Sequence, residues 1–386
     1  MTLKKRILIS VAGVFALAIV SLAIALSYDS NCPAPQSVAS GTQRTMKAIV
    51  QRCYGPPEVL TFEEVAKPVP ADDEVLVRVR AAAVNPLDWH STMGWPYIMR
   101  LSKGLGAPDS PSMGVDFAGT VEAVGKQVTR FKAGDEVFGG RDGAFAEYLV
   151  VREHRAVAHK PPELTFEEAA AMPVAAVTAL QGLRDQGRIQ AGQKVLINGA
   201  SGGVGTFAVQ IAKSFGAEVT GVCSTRNVEL VRSIGADHVI DYKQVDFTQR
   251  SERYDLILDN VGNHSPLALR RALEPKGIVV IVGAPKRGPW ISMFWGIING
   301  AILSWFVDEQ FAFFIARLNH DDLDFLADLA REGRMTSVID RSYTLSEVPQ
   351  AIEYLAGWHA RGKVVVRVDG SGQPERDAAA SADAVR

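Results

Sequence analysis

Cysteine is scarce in this chain of 386 residues: there are 3, at positions 32, 53 and 223. None stands in a C-x-x-C spacing, so the sequence supports neither a zinc cluster nor a disulfide framework. Charge of one sign is lacking as well. The formal net charge is -2, and with no basic stripe and no aromatic-plus-basic cluster, nucleic acid is not implied as a partner. Hydrophobic content of 47% suits a globular protein of two domains.

Against this background the run Asn198-Gly199-Ala200-Ser201-Gly202-Gly203-Val204-Gly205 stands out. It lies between the apolar stretch Lys194–Ile197 and the helical pattern Thr206–Phe215, and a second apolar stretch, Glu218–Cys223, completes a βαβ unit. A strand that turns through close-set glycines into a helix leaves backbone N–H groups at the positive end of the helix dipole, where a dinucleotide pyrophosphate binds. Gly199, Ser201, Gly202, Gly203, Val204 and Gly205 are therefore expected to cradle a cofactor. The plain alternative is a turn that only packs helix on strand.

The second strand bears on which nucleotide. NAD-binding units place Asp or Glu there for the ribose 2′-OH, whereas this chain reads Ser224-Thr225-Arg226-Asn227. Arg226 offers a planar fork of donors and Ser224 a hydroxyl, a set suited to a 2′-phosphate. NADP(H) is favoured over NAD(H).

The amino-terminal end reads differently. Lys4-Lys5-Arg6 precede an uncharged, mostly apolar run over 7–26, long enough to span a bilayer. Residues 1–28 are expected to be a signal peptide or membrane anchor, so the protein is membrane-anchored or exported, or cytoplasmic if translation starts at Met46. Residues 29–45 read as a flexible linker, and 369–386 as a disordered tail.

From Met46 the pattern is of short strands, Lys47–Val50, Glu74–Val79, Gly119–Val124 and Phe145–Val151, suggesting a small β-barrel-like domain. A helical pattern over Phe166–Leu183 leads into the glycine run. Strands and helices then alternate, with strands at Val195–Asn198, Glu218–Val222, His238–Ile240, Leu256–Asp259 and Ile278–Val282, as in a parallel sheet covered on both faces. Met335–Arg367 returns to short strands around a helix at Val348–Leu355. The expected fold class is α/β, a barrel domain interrupted by a Rossmann domain. The apolar stretch 290–315 is interrupted by Asp308-Glu309-Gln310; it is expected to form helices covering a substrate cleft and a dimer interface rather than a membrane contact.

Seven segments in order, Tyr54–Leu60, Ala83–Asp88, Gly114–Gly119, Gly143–Tyr148, the glycine run, Tyr254–Asp259 and Arg361–Val366, give the chain from Met46 to about Val368 a resemblance to a known family. It resembles the medium-chain dehydrogenases/reductases, in their zinc-independent quinone oxidoreductase-like branch. The resemblance implies a GroES-like catalytic domain in two parts, 46–165 and 321–368, around a Rossmann NADP-binding domain at 166–320, with homodimers expected. It also implies site residues. Thr178 and Asn85 line the nicotinamide end, Tyr242 the adenosine side, Asn260 and Val261 the ribose, and Gly283 lies near the carboxamide. Lys363 is a cofactor or interdomain contact. For Asn85-Pro86 a plain turn is an equal reading.

Zinc-dependent members of the broader family carry Cys in the second of these segments and Gly-His-Glu in the third. Here they read Ala83-Val84-Asn85 and Gly114-Val115-Asp116, without thiolate or imidazole. The four-cysteine structural lobe is missing too, and no metal is expected, since one carboxylate does not make a zinc site. Without a Lewis acid, an alcohol–ketone interconversion loses its charge stabilisation at oxygen. A quinone or α,β-unsaturated carbonyl needs less, because charge spreads through its π-system. The expected activity is NADPH-dependent reduction of such an acceptor, a small hydrophobic molecule. His90 stands where the resemblance places a tyrosine and is a candidate proton donor, although a polar surface role is an equal reading; Tyr54 and Tyr97 are further candidates. The alternatives are an aldehyde or ketone reductase, and a membrane-tethered NADPH-binding sensor without turnover.

Overall fold

The computed structural model describes residues 3–34, 44–283, 290, 299–300, 303–304 and 307–368, with side chains from residue 14 onward. In chain order the elements that matter are α1 (Leu3–Ser27), β1 (Thr45–Val50), β2 (Thr61–Ala66), β3 (Glu74–Val84), α2 (Pro86–Met93), α3 (Arg100–Lys103), β4 (Asp116–Val124), β5 (Glu136–Gly140), β6 (Tyr148–Arg152) and β7 (Val157–His159). There follow α4 (Phe166–Ala170), α5 (Pro173–Gln181), β8 (Lys194–Asn198), α6 (Gly203–Ser214), β9 (Glu218–Cys223), α7 (Val228–Ser233), β10 (His238–Asp241), β11 (Tyr254–Asp259), α8 (Pro266–Arg271), β12 (Leu273–Ile281) and β13 (Gln310–Phe313). The chain closes with α9 (His320–Arg331), β14 (Ile339–Thr344), α10 (Val348–Ala356) and β15 (Lys363–Arg367).

The glycine run sits in a six-stranded, wholly parallel sheet of order β10-β9-β8-β11-β12-β13. Its central strands are apolar without alternation, and Val195, Leu196, Ile197, Leu256, Ile257 and Leu258 are all fully buried, as strands covered on both faces must be. The order reverses between β8 and β11, and ligands of such sheets bind outside the strand carboxyl ends at that switch point. The ends there are Asn198 and Asp259, directly paired.

The barrel-side sheet has the order β14-β15-β3-β4-β5-β7, with β6 also on β3. Here β15, from the carboxyl-terminal part, pairs antiparallel with β3. The second part of the catalytic domain thus completes the sheet begun by the first, around a core that includes Val75, Val77, Phe117, Phe145, Ile352 and Val364.

Several expectations change. The helix expected over 166–183 divides at Pro173, which cannot donate the backbone hydrogen bond a continuing helix needs and opens α5 instead. The described part of the stretch expected to be helical near 290–315 contains β13, an edge strand paired in parallel with β12; its remainder lies largely outside the described residues. The cysteines depart furthest from expectation, because Cys32 and Cys53 form a disulfide across a sequence separation of 21. No spacing rule signals a single bridge between a terminal segment and a barrel loop.

That bridge belongs to a larger attachment. Residues 29–34, expected to be linker, lie against the barrel: Ser30 N donates to Gly106 O at 2.9 Å. The buried Arg100 guanidinium donates through Nη1 to Leu26 O and Tyr28 O at 3.1 Å, and pairs with Asp29 at 2.9 Å. Residues 35–43 and the tail 369–386 lie outside the described residues. Among the described residues no helix is long and apolar enough to cross a membrane; the run 7–26, expected to anchor or export the chain, lies partly outside the described side chains.

At Gly205 a Cβ would stand 2.1 Å from Gly199 O and 2.8 Å from Ala200 Cα, so α6 meets the end of β8 backbone to backbone. Gly205→Ala should lower stability by about 1–3 kcal/mol through this overpacking. Urea unfolding of the variant checks it, and an unshifted midpoint would contradict the contact.

Candidate active site

The glycine run begins where β8 ends. Gly199 takes φ +79°, a conformation open to glycine without cost, and the Gly199 and Ala200 amides donate to Val222 O at 3.1 and 3.0 Å. Gly202 is the N-cap of α6 and makes no side-chain capping bond. The first-turn amides of Gly203, Val204 and Gly205 therefore receive no side-chain acceptor, the condition for binding an anion at a helix N-terminus. The barrel domain reaches this loop directly, because Gly362 N donates to Ser201 O at 2.9 Å and Gly362 pairs with Gly202 in an isolated bridge.

Just beyond β9, Ser224 is buried and the Arg226 guanidinium donates from Nη2 to His359 O at 2.8 Å. Tyr242 is 57% exposed. Thr225 Oγ1 is spent on Asp241 Oδ2 at 2.6 Å. The residue that sequence reasoning passed over is Asn227. It is 5% exposed, donates from Nδ2 to Ser201 Oγ at 2.9 Å and Ser224 Oγ at 3.2 Å, and leaves Oδ1 buried without a partner. Amide oxygen and nitrogen are assigned from their hydrogen bonds. Turned over, the same amide accepts from the two serine hydroxyls and presents two donors where Oδ1 now stands. Only burial distinguishes Asn227 from an ordinary residue opening a helix.

The other end of the cleft holds Asn260, whose Nδ2 donates to Asn198 O at 3.1 Å while its Oδ1 is buried and unpartnered. Val261 is 38% exposed beside it. A Cβ on Gly283 would stand 2.0 Å from Asn260 O, so this glycine permits the close approach of two chain segments. Thr178 Oγ1 donates to Val174 O at 2.6 Å within α5.

On the barrel side, β3 runs into α2 through Asn85, the N-cap of a capping box in which Asn85 N donates to Asp88 Oδ2 at 2.7 Å. Asn85 is 2% exposed and its amide is fully engaged: Nδ2 donates to Asp116 Oδ2 at 2.9 Å and Oδ1 accepts from Lys363 Nζ at 2.6 Å. Lys363 Nζ also lies 3.2 Å from Asp116 Oδ2, and Asp116 Oδ1 accepts from Val174 N at 2.9 Å. Burial pushes the Asp116 carboxyl up, opposed first by the Lys363 ammonium. Among the described residues no group of three or more His, Cys, Asp or Glu is placed to hold a metal ion.

A cavity of about 220 Å³ opens beside this cluster, lined among others by Tyr54, Asp88, His90, Met99 and Met113. His90 Nδ1 lies 3.0 Å from Trp95 O. Tyr54 donates its hydroxyl proton to Gly104 O at 2.9 Å, and burial raises its pKa, which ties it to a structural bond. Tyr97 does not line the cavity; its ring meets Trp290 edge-to-face at 4.9 Å. Of the four residues expected to be catalytic, the structure brings His90 and Tyr54 to the cavity and puts Asn85 behind it.

Burial raises the Asp88 carboxyl to about 7, with Asp116 and Asp142 acting in the same direction and the Asn85 amide and Lys363 opposing. Folded protein then holds a proton that the unfolded chain has released, so stability falls as pH rises from about 4 to about 7 and levels off above that. Asp88→Asn should flatten this fall, read as melting temperature between pH 5 and 8; an unchanged slope would assign it to other groups.

Comparison with known proteins accounts for both halves. Residues 71–162 match the alcohol dehydrogenase GroES-like domain and residues 234–366 a family described as zinc-binding dehydrogenase. The human mitochondrial NAD(P)H oxidoreductase RTN4IP1 is 34% identical over 368 residues, covering 86% of this chain and 91% of that protein. A chloroplastic quinone-oxidoreductase homolog from Spinacia oleracea is 33% identical, covering 84% and 98%. Among solved structures, the quinone oxidoreductase from Coxiella burnetii superimposes with a TM-score of 0.73 at 30% identity, over 84% of this chain and all of that one. The Escherichia coli quinone oxidoreductase complexed with NADPH does so with a TM-score of 0.71 at 25% identity, over 83% and 100%. The chain is therefore a nicotinamide-dependent oxidoreductase of the medium-chain dehydrogenase/reductase superfamily, in its quinone oxidoreductase-like branch.

Proposed function

We propose that the protein reduces quinones or α,β-unsaturated carbonyls with NADPH and without zinc. The observation that carries this reading is the buried set at the head of the cleft. An amide, a carboxylate and an ammonium, those of Asn85, Asp116 and Lys363, bond to one another there. Tetrahedral zinc needs thiolate, imidazole or carboxylate lone pairs converging on one point, and this set offers one carboxylate already facing a cation. Zinc does not fit it. An acceptor whose charge spreads over a conjugated system suits a cleft that lacks a Lewis acid. The names of relatives agree in class: besides the quinone oxidoreductases, a 2-methylene-furan-3-one reductase from Solanum lycopersicum is 33% identical over 361 residues.

A bound dihydronicotinamide would supply hydride; the protein's own residues bind, orient and manage the proton. The glycine loop and the α6 N-terminus hold the pyrophosphate. Arg226 and Ser224, with the Asn227 amide turned to present its donors, hold a 2′-phosphate, and Tyr242 flanks the adenosine. Asn260, Val261, Gly283 and Thr178 border the ribose and nicotinamide, with the unpartnered Asn260 Oδ1 ready to accept from a hydroxyl or carboxamide. His90, in the cavity, is the proton donor through its imidazole. The Cys32–Cys53 bridge supports placing the barrel in an oxidising compartment, as export by the amino-terminal segment would do.

Three measurements test this. NADPH oxidation followed by absorbance should show turnover with quinones and enones and little with simple ketones; turnover confined to aldehydes and ketones would overturn the acceptor class. Arg226→Asp should raise the KM for NADPH at least tenfold, the scale of a lost charged hydrogen bond of about 1.5–3 kcal/mol, and leave NADH nearly unchanged. Equal loss with both nucleotides would remove the 2′-phosphate role. His90→Phe should lower kcat about 10²-fold or more, in line with a general acid, and undiminished kcat would take His90 out of the mechanism.

A further inference from the structure

Lys363 has an expected role, contact with the cofactor or between domains, but its ammonium points into the barrel's own polar cluster. It is 3% exposed, and two of its three donors are committed, at 2.6 Å to Asn85 Oδ1 and 3.2 Å to Asp116 Oδ2. Each of these contacts leads to a different wall of the cleft. Asn85 caps α2, which carries Asp88 and His90 into the cavity. Asp116 reaches through its other oxygen to Val174 N in the first turn of α5, one turn before Thr178. The backbone next to Lys363 holds the third wall: Gly362 N donates to Ser201 O in the glycine loop, and a Cβ at Gly203 would lie 3.2 Å from Lys363 Cδ.

We propose that Lys363 is a positioning residue for the reaction, acting through its buried ammonium. It cross-links Asn85 and Asp116, and with Gly362 it sets the distance between the cavity wall and the glycine loop. A lysine suits this place because its ammonium is a compact point charge with donors pointing in three directions, unlike the planar fork of arginine. Asp116 neutralises it, and the partners of the Asp116 oxygens, Val174 N, Asn85 Nδ2 and Lys363 Nζ, are all donors. Removing one member leaves an uncompensated buried charge, so the cluster is expected to act as a unit. This inference rests on the reductase reading, because distance matters to the rate only if hydride crosses the cleft.

The test separates positioning from cofactor binding. In Lys363→Met, kcat on a quinone should fall at least tenfold while the NADPH Kd, read by nucleotide fluorescence, stays within threefold; Lys363→Arg should recover only part of kcat. Asp116→Asn should lower kcat in the same direction, and the Lys363→Met/Asp116→Asn double variant should lose less than the product of the two single losses. A tenfold rise in Kd with unchanged kcat would make Lys363 a cofactor ligand and overturn the proposal, as would unchanged kcat in both single variants. Should Lys363→Met fail to fold, Asp116→Asn decides alone, unchanged kcat overturning the proposal. Stoichiometric zinc in the wild-type protein, lost in Asp116→Asn, would also overturn it. If the wild type turns over no quinone or enone, the reductase reading fails by itself. Amide exchange then tests the cross-link: Val174 and Gly362, whose amides donate to Asp116 Oδ1 and Ser201 O, should exchange at least tenfold faster in Lys363→Met, and unchanged exchange would overturn it.

Discussion

The contact between the Lys363 ammonium and the Asp116 carboxylate is the constraint on which the rest of the cleft depends. Both groups are nearly inaccessible to water, and removal of either partner from such a pair costs about 3–5 kcal/mol. The barrel therefore cannot let them part cheaply, and what they hold comes with them: the start of α2, the start of α5, and the β15 entry that meets the glycine loop. Precision in the cleft follows from burial of charge. A hydrophobic contact of equal area would hold the same walls together but would not fix their angle, because it has no direction.

Charge placement also decides how the two domains differ in their task. The parallel sheet supplies backbone: glycines at Gly199 and Gly205 that allow close approach, and helix-end amides that want an anion. The barrel supplies side chains of both signs, packed close to one another and away from water. Asp88, whose carboxyl burial raises to about 7, shows how far that packing shifts an ordinary carboxyl. His90 brings an imidazole to the cavity, and the chemistry of proton delivery falls to it in the proposed mechanism.

Much of this was legible in the sequence because backbone rules leave strong marks. The glycine run between two apolar strands, the alternation of strands and helices after it, and the return to short strands at the end each follow from local spacing, and the structure has them. The polar site was less legible. Asn85 reads as lining the nicotinamide end or as a plain turn, and Lys363 as a cofactor or interdomain contact; neither reading foresees their bond to each other, since a hydrogen bond between residues so distant in sequence leaves no periodic trace. Asn227 carries no mark beyond its neighbourhood, and it stands out only when burial strands its amide oxygen. The helix expected through Pro173 failed because the apolar pattern continued across a residue that must begin a new helix. The disulfide failed for a related reason: Cys32 and Cys53 come together through the fold of residues 29–34, which composition alone reads as loose chain.

Arg100 gives that fold its significance. Its guanidinium is stacked against Tyr54 and Tyr97, with ring centroids 4.3 and 4.5 Å away, and bonds on one side to Gly94 O and on the other to the carbonyls that end α1. The amino-terminal helix is thus mounted on the rim of the cavity like a handle riveted to a bowl rather than tied to it by string. A change at Arg100 therefore disturbs the seat of that helix and the wall of the cavity together.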